Sequence, residues 1–163
     1  MAIKQRCKMA DYLDISKKSG SAKYELMGVG FTELNEEPQA QTSEKQYVND
    51  VSKSKNITGY NWQKPFETDE ILSNEVIEYI TDIGRYMKIG AETETTHVMV
   101  DLDSPISDSS NTFKARQIKV CVQVDSFGNN DGEVTCSGTL LGQGGIVAGQ
   151  FDTSSKTFTA DGE

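Results

Sequence analysis

The sequence has 163 residues, of which 36% are apolar and 8% aromatic, which suits one folded domain and is too apolar for wholesale disorder. The net charge of −9 argues against a protein that grips the nucleic-acid backbone. No stretch reaches the roughly 18 apolar residues of a membrane span, and the first residues lack the apolar segment of a secretion signal. We therefore expect a soluble protein that makes no membrane contact.

The charge is divided unevenly along the chain. Residues 1–64 contain 10 Lys and Arg against 8 Asp and Glu, whereas residues 65–163 contain 6 against 17. A basic start ahead of an acidic body suits a protein that contacts copies of itself head to tail, or one that lines an acidic surface.

Cysteine and histidine usage excludes much metal and nucleophile chemistry. The three cysteines have no CxxC spacing, which favours reduced structural residues over a zinc site or a disulfide framework. His97 is the only histidine, and it lies in a strand-like run without a nucleophile elbow. We therefore expect no enzyme activity, no cofactor and no metal site, with His97 at a sheet surface or interface. An enzyme would need His97 beside a carboxylate in a cleft.

The first third of the chain contains two segments that we predict to be irregular. Residues 1–20 form a short basic arm, and residues 24–31 then alternate as the first strand. Residues 35–46 are a polar run with one proline and no apolar periodicity, which predicts a long loop. Such a loop is either a mobile surface segment or a contact that becomes ordered on a partner. Residues 47–66 return to β-type sequence.

One helix is predicted, over about residues 73–88. Ser73 is its expected N-cap and Gly90 its expected stop. Its apolar residues recur at spacings of four, three and four, so they form one stripe that can lie on a sheet. These residues are Val76, Ile80, Ile83 and Met87.

Strands dominate the rest of the chain. Residues 96–103 alternate, and a polar loop is predicted over residues 105–111. Residues 112–141 are predicted to form a long β-hairpin around the turn sequence GNNDG, and a short hairpin follows over residues 150–159. The expected fold class is mainly β: a single domain over residues 1–163, built as an antiparallel β-sandwich or barrel with one flanking α-helix.

Six short segments carry a family resemblance by their order and their coverage of the chain. They are MAIKQRCKMADYL at 1–13, FTELNEEP at 31–38, ITGY at 57–60, NTFKAR at 111–116, SGTL at 137–140, and the ending from GQFD at 149–152 to Phe158. None of them is a chemical motif. In these segments the sequence resembles the tail tube proteins (major tail proteins) of bacteriophages and phage-tail-like particles of Gram-positive bacteria.

This resemblance implies a structural virion protein with a phage tail-tube-like fold. In the family, hexameric rings stack head to tail into a hollow tail tube, and the lumen passes the genome without specific DNA binding. The expected location is the virion tail, assembled in the host bacterial cytoplasm. The expected partners are further copies of the chain, the tape measure protein, the tail terminator, the baseplate or distal tail proteins and, in a contractile tail, a sheath.

Two sets of contact residues follow. The family's long loop and terminal arms bridge successive rings, which implies inter-subunit contacts through Lys4, Arg6, Lys8, Glu36, Glu37, Pro38, Gln41, Glu44 and Lys45. We expect the polar face of the long hairpin to look into the lumen, through Gln117, Lys119, Gln123, Glu133, Thr135 and Ser137.

Two alternatives remain open at the level of sequence. The tube of a DNA-free contractile phage-tail-like bacteriocin would use the same kind of subunit. A different class is a ligand-binding β-sandwich, such as a carbohydrate-binding module, in which Tyr60 and Trp62 form a stacking platform. That alternative predicts a monomer with exposed aromatic rings, whereas a tube subunit self-assembles.

Overall fold

The computed structural model describes residues 1–106 and 110–162, and within them the chain forms eleven β-strands and one α-helix, α1 (Glu75–Arg85). The strands are β1 (Met9–Asp14), β2 (Tyr24–Leu26), β3 (Phe31–Leu34), β4 (Ala40–Lys45), β5 (Ser54–Tyr60), β6 (Gln63–Asp69), β7 (Glu94–Pro105), β8 (Thr112–Asn130), β9 (Glu133–Gly142), β10 (Val147–Asp152) and β11 (Thr157–Ala160). The predicted loop at 105–111 includes residues 107–109, which lie outside the described residues.

The main sheet is organised around β8, which is 19 residues long and changes partner along its length. Its first part pairs with β7 on one side and with β10 on the other. Its second part pairs with β9, as far as Asn130 opposite Glu133. All pairs are antiparallel, in the order β2-β1-β7-β8-β9-β6-β3, with β10 and β11 beside the first part of β8. The predicted mainly antiparallel fold class is confirmed.

The two faces of this sheet carry separate hydrophobic clusters. The larger cluster lies under α1 and joins buried side chains of β1, β3, β6, β8 and β9. The smaller cluster surrounds Phe151, whose ring centroid lies 4.5 Å from that of Tyr12 and 5.8 Å from that of Tyr24. Neighbouring residues of β7 contribute to different clusters, Met99 to the larger and Val98 to the smaller, because strand side chains alternate between faces.

Helix α1 packs Val76, Ile80 and Ile83 of the predicted apolar stripe into the larger cluster, but it is shorter than the predicted range, and Met87 of the stripe lies outside it. Its N-cap is Asn74, whose side chain accepts hydrogen bonds from two backbone N–H groups. Ser73 lies outside the helix with a φ of 64°. At the other end Met87, which is 83% exposed, has a φ of 49°, so the helix stops before Gly90, whose φ is 62°. No helix among the described residues is long and apolar enough to cross a bilayer.

The predicted loop at residues 35–46 is wrong for Ala40–Lys45, which is strand β4. It pairs with β5 in a separate two-stranded sheet. Because this small hairpin does not pack its face on the core, its sequence AQTSEK shows no apolar alternation to reveal a strand.

The predicted amino-terminal arm at residues 1–20 is wrong beyond residue 8. β1 lies inside the main sheet, between β2 and β7, and Leu13 is fully buried. Residues 1–8 precede the sheet and include a 3-10 turn at Arg6–Lys8. Both faces of this short strand are covered, so it lacks the polar and apolar alternation of a surface strand.

The first predicted strand, over residues 24–31, is two strands. The chain leaves β2 after Leu26 and enters β3 at Phe31. Gly30 has a φ of 94°, and a Cβ at this position would lie 2.8 Å from the side chain of Ile71. Glycine is required here both by its backbone conformation and by the close approach.

The long β-hairpin is present and extends slightly beyond its predicted range. Its turn consists of Asp131 and Gly132, with φ values of 51° and 91°, which suits the two-residue turns that match strand twist. On β8 the residues Ile118, Val120 and Val122 are buried, as their alternation predicts. The short final hairpin is also present, as β10 and β11.

Candidate functional site

The most exposed element of the fold is the hairpin of β4 and β5, called here the arm (residues 39–60). No arm residue is buried. A two-stranded hairpin is marginally stable in water unless it packs on something else. Within this chain the arm packs none of its own side chains into the core, and it exposes several large apolar side chains: Tyr47, Val48, Val51, Ile57 and Tyr60.

The two faces of the arm differ in chemistry. Ala40 lies opposite Tyr60, Thr42 opposite Ile57 and Glu44 opposite Lys55, so these six residues share one face. Ile57 and Tyr60 are 60% and 65% exposed. The opposite face carries only small or polar residues: Gln41, Ser43, Lys45, Ser54, Asn56 and Gly59. The first face, called here the apolar face, carries Ile57 and Tyr60 nearer the root and the Glu44–Lys55 ion pair nearer the tip, whereas the opposite face is suited to water.

A groove of about 540 Å³ continues the apolar face of the arm into the body. Its lining residues include Pro38, Tyr60, Trp62, Ile118 and Ile146. Glu36 and Arg116 also line this groove, so it joins the apolar face of the arm to the charged pair at its root.

The root of the arm is held by a cluster of hydrogen bonds around one carboxylate. Glu36 accepts two hydrogen bonds from the Arg116 guanidinium, both at 3.0 Å, and one from Trp62 Nε1 at 2.7 Å. Burial alone would raise the pKa of Glu36, but the hydrogen bonds from Arg116 and Trp62 hold it below its usual value. Beside it, the backbones of Glu37 and Gln63 exchange two hydrogen bonds of 2.8 and 2.9 Å.

A charged centre lies inside the body next to this root. Asp11 and Lys64 form an ion pair with 2% and 4% of their residue surfaces exposed. Arg6 reaches the same carboxylate at 2.9 Å, and His97 Nε2 lies 3.5 Å from it. His97 Nδ1 is 2.9 Å from the backbone oxygen of Tyr12, a geometry in which a neutral ring donates from Nδ1. These groups fasten β1, β6 and β7 together.

The expected position of His97 at a sheet surface is wrong, because its side chain has no exposed area. Burial lowers the pKa of His97, so the ring is neutral in the folded chain near pH 7. Burial alone would raise the pKa of Asp11, but the neighbouring Lys64 ammonium, with the hydrogen bond it donates, holds it far below its usual value. The enzyme alternative needs this histidine in an open cleft, and the ring lies in the interior.

Sequence reasoning missed this charged centre, although one signal was available. Lys64 and Phe66 of β6 and Trp62 just before it occupy alternate positions, and all three are buried. A lysine between two buried aromatic residues on one face indicates a buried amine with a charged partner. Nothing in the sequence marks Asp11 as that partner. Among the described residues, no group of three or more His, Cys, Asp or Glu side chains could hold a metal ion.

A second exposed feature is an unpaired edge of β8. The first residue of β7, Glu94, lies opposite Cys121. In the described part of the chain, no strand pairs with that side of β8 over residues 122–130. Open strand edges accept strands from other molecules.

The residues predicted to face the lumen share one face of the long hairpin. Gln123 and the β9 residues from this set lie on the face opposite the larger hydrophobic cluster, and Lys119, Gln123 and Glu133 are exposed. Gln117 differs from these exposed residues because it is half-buried. Its side chain donates a hydrogen bond of 2.9 Å to the Tyr24 hydroxyl, at the border of the smaller cluster.

The residues predicted to contact other subunits fall into three places. Gln41, Glu44 and Lys45 lie on the arm, and Glu36, Glu37 and Pro38 lie at its root. Lys4 pairs with Asp101 at 2.5 Å, Arg6 joins the charged centre, and Lys8 is exposed. The structure thus concentrates most of this set around the arm.

Comparison with known proteins gives a structural likeness without a sequence match. No protein-family model matches the chain, and no curated protein matches its sequence. A chain from the tail of an empty GTA particle, a helical assembly with C6 symmetry, superimposes with a TM-score of 0.61 at 12% identity. The match covers 97% of this chain and 100% of that chain.

A second likeness is to a chain of the baseplate of the anti-feeding prophage, a structure with six-fold symmetry. Its TM-score is 0.52 at 8% identity, over 93% of this chain and 96% of the other. At these identities the likeness establishes the fold and nothing further. Over the residues that the structure describes, the chain has a mainly antiparallel β fold with a single helix, which matches the phage tail-tube-like fold.

Proposed function

We propose that this chain is a structural subunit of a phage tail or phage-tail-like particle, in which six copies form a ring and the rings stack into a hollow tube. In this role the chain would act without catalysis and without a cofactor. The fold supports this assignment, because it is shared over nearly the whole chain with tail proteins from six-fold symmetric particles.

The observation that carries the proposal is the arm. It projects from a well-packed body, buries none of its own residues, and leaves Ile57 and Tyr60 uncovered on one face. A hairpin of this kind gains stability when its apolar face is covered by another molecule. A second copy of the chain is the partner we propose, with the arm bridging one ring to the next.

The open edge of β8 suits the contact within a ring. When neighbouring subunits continue one sheet around a closed ring, each unpaired edge is covered and the hazard of open aggregation disappears. The contact between rings is heterologous and does not close, so it extends the tube. The two exposed features therefore supply the two kinds of contact that a tube requires.

The finer roles belong to the same proposal. The lumen, lined by the polar face of the long hairpin, would conduct the phage genome from the virion tail into the host without binding it. The chain would assemble in the host bacterial cytoplasm with a tape measure protein, a tail terminator and baseplate or distal tail proteins. The tube of a DNA-free bacteriocin requires the same subunit contacts.

The carbohydrate-binding alternative receives no comparable support. Tyr60 is exposed, but Trp62 is 7% exposed and its indole N–H is bonded to Glu36. The two rings therefore do not present a shared stacking platform.

Negative-stain electron microscopy of the purified chain across a concentration series tests the function. We expect rings or hollow filaments of uniform width above a threshold concentration. Replacing residues 41–59 by a short Gly-Ser link leaves the body folded, because no arm residue is buried, and we expect this variant to form no filaments. Small monodisperse particles from the wild-type chain at every concentration would contradict the tube and favour a binding module.

A further inference from the structure

We propose that Glu36 is a positioning residue: by its bonds to Arg116 and Trp62, it fixes the direction in which the arm leaves the body. The importance of this role rests on the proposed function, because a fixed direction matters when the arm must meet a neighbouring copy. It assigns Glu36 an intramolecular role, in place of the inter-subunit contact expected from sequence.

The first support is the place of Glu36 in the fold. It lies between β3 and the arm, and its carboxylate bonds Trp62, which lies directly after the arm. One side chain therefore ties together the two chain segments that enter and leave the arm. Arg116, the third member, is on β8, the central strand of the body.

The second support is the geometry of the bonds. The guanidinium of Arg116 meets both carboxylate oxygens at 3.0 Å, an arrangement that fixes orientation as well as distance. The Arg116 and Glu36 side chains are 39% and 24% exposed, so water competes only in part for these bonds.

The third support is that the other hydrogen bonds at the root run between its own two strands. Glu37 and Gln63 share one pair of backbone bonds and a side-chain bond of 2.7 Å, and the Asn61 N–H donates to the Gln39 oxygen at 3.0 Å. Trp62 is buried in the larger cluster and anchors the segment that follows the arm. The ion pair between the Glu36 and Arg116 side chains joins this root to β8.

A distance measurement on the unassembled chain tests the inference. Spin labels at Val48→Cys on the arm and Glu67→Cys on β6 report the spread of arm positions, in a background of Cys7→Ser and Cys121→Ser that keeps the buried Cys136. We expect a narrow distribution for the parent chain and a broad one for Glu36→Gln, which loses the charge and the paired bonds. Arg116→Gln should broaden it equally, and the double variant no further, because both changes remove one interaction.

The matched control is Glu44→Gln, which removes the same charge from the arm itself, where Glu44 pairs with Lys55 at 3.4 Å. Its distribution should stay narrow, and thermal unfolding should confirm that every variant is folded. An unchanged width for Glu36→Gln in a folded chain would overturn the inference. A width that broadens as much for Glu44→Gln would overturn it as well.

Assembly supplies the second measurement. If loosening leaves about one-tenth of the arms in the competent direction, the threshold concentration for filaments rises about ten-fold for Glu36→Gln. An unchanged threshold would contradict the importance of the fixed direction. Failure of the parent chain to assemble would count against the proposed function alone, because the distance distribution is measured on the unassembled protein.

Discussion

Lys64 and Asp11 form a buried ion pair that also holds Arg6 and His97. We expect Lys64→Met to lower the free energy of unfolding by about 3–5 kcal/mol, because it leaves the Asp11 carboxylate buried with reduced compensation. Urea unfolding followed by circular dichroism measures this change. Lys8→Met is the matched control at an exposed site, and it should change stability by less than about 0.5 kcal/mol.

The double variant Asp11→Leu, Lys64→Met separates the cost of an unpaired charge from the cost of lost packing. Replacing a buried pair by apolar residues is often far less harmful than removing one partner. We therefore expect the double variant to be more stable than Lys64→Met alone. A double variant that is as unstable as the sum of both single changes would show that the pair itself, rather than its charge balance, holds these strands together.

His97 gives stability a pH dependence whose sign follows from its buried position. Nε2 faces Asp11 and Lys64, Nδ1 faces the Tyr12 carbonyl, and burial lowers the pKa of the ring. The unfolded chain takes up a proton below about pH 6.5 whereas the folded chain does not. The contribution of His97 to the free energy of unfolding is therefore fully present above that pH. It decreases as the pH falls, by up to about 1.4 kcal/mol per pH unit.

Urea unfolding between pH 7 and 5 measures this slope, and His97→Gln is the comparison. The chain has one histidine, so the variant should show a much flatter profile over this interval. An equal slope in the variant would mean that other groups cause the pH dependence.

The helix and strands whose apolar spacing matches their buried face could be predicted from the sequence. α1 shows an apolar stripe because one face packs on the sheet, and β8 alternates because one face is covered there. The turn after β8 could be found from local sequence, because Asp131 and Gly132 tolerate positive φ. In each case a local preference agrees with the tertiary packing.

Strands whose burial depends on distant parts of the chain, and not on their own residue pattern, could not be predicted from the sequence. β1 is covered on both faces, so its short mixed sequence carries no period. β4 is covered on neither face in the single chain, so its residues look like those of a loop. The pairing of Asp11 with Lys64 joins positions far apart in the chain, and the link from Glu36 to Arg116 does the same. No local pattern specifies such pairs.

For the whole molecule, the two exposed features lie on separate elements and can act independently. The open edge belongs to β8 in the main sheet, whereas the arm forms a sheet of its own. Loss of the contact made by the arm should therefore leave the contact within a ring intact. Under the proposed function, a chain with an impaired arm is expected to form single rings rather than monomers.

Substitutions on the two faces of the arm test this separation. Ile57→Ser with Tyr60→Ser removes the apolar face, and Gln41→Ser with Asn56→Ser is the matched control on the polar face. Truncating a buried interface tyrosine typically costs about 2 kcal/mol or more, so the threshold for filaments should rise at least about 30-fold for the first pair. Sedimentation velocity and electron microscopy should then show single rings, and the control should assemble like the parent chain. Equal assembly by both variants would mean that the apolar face of the arm meets no other subunit.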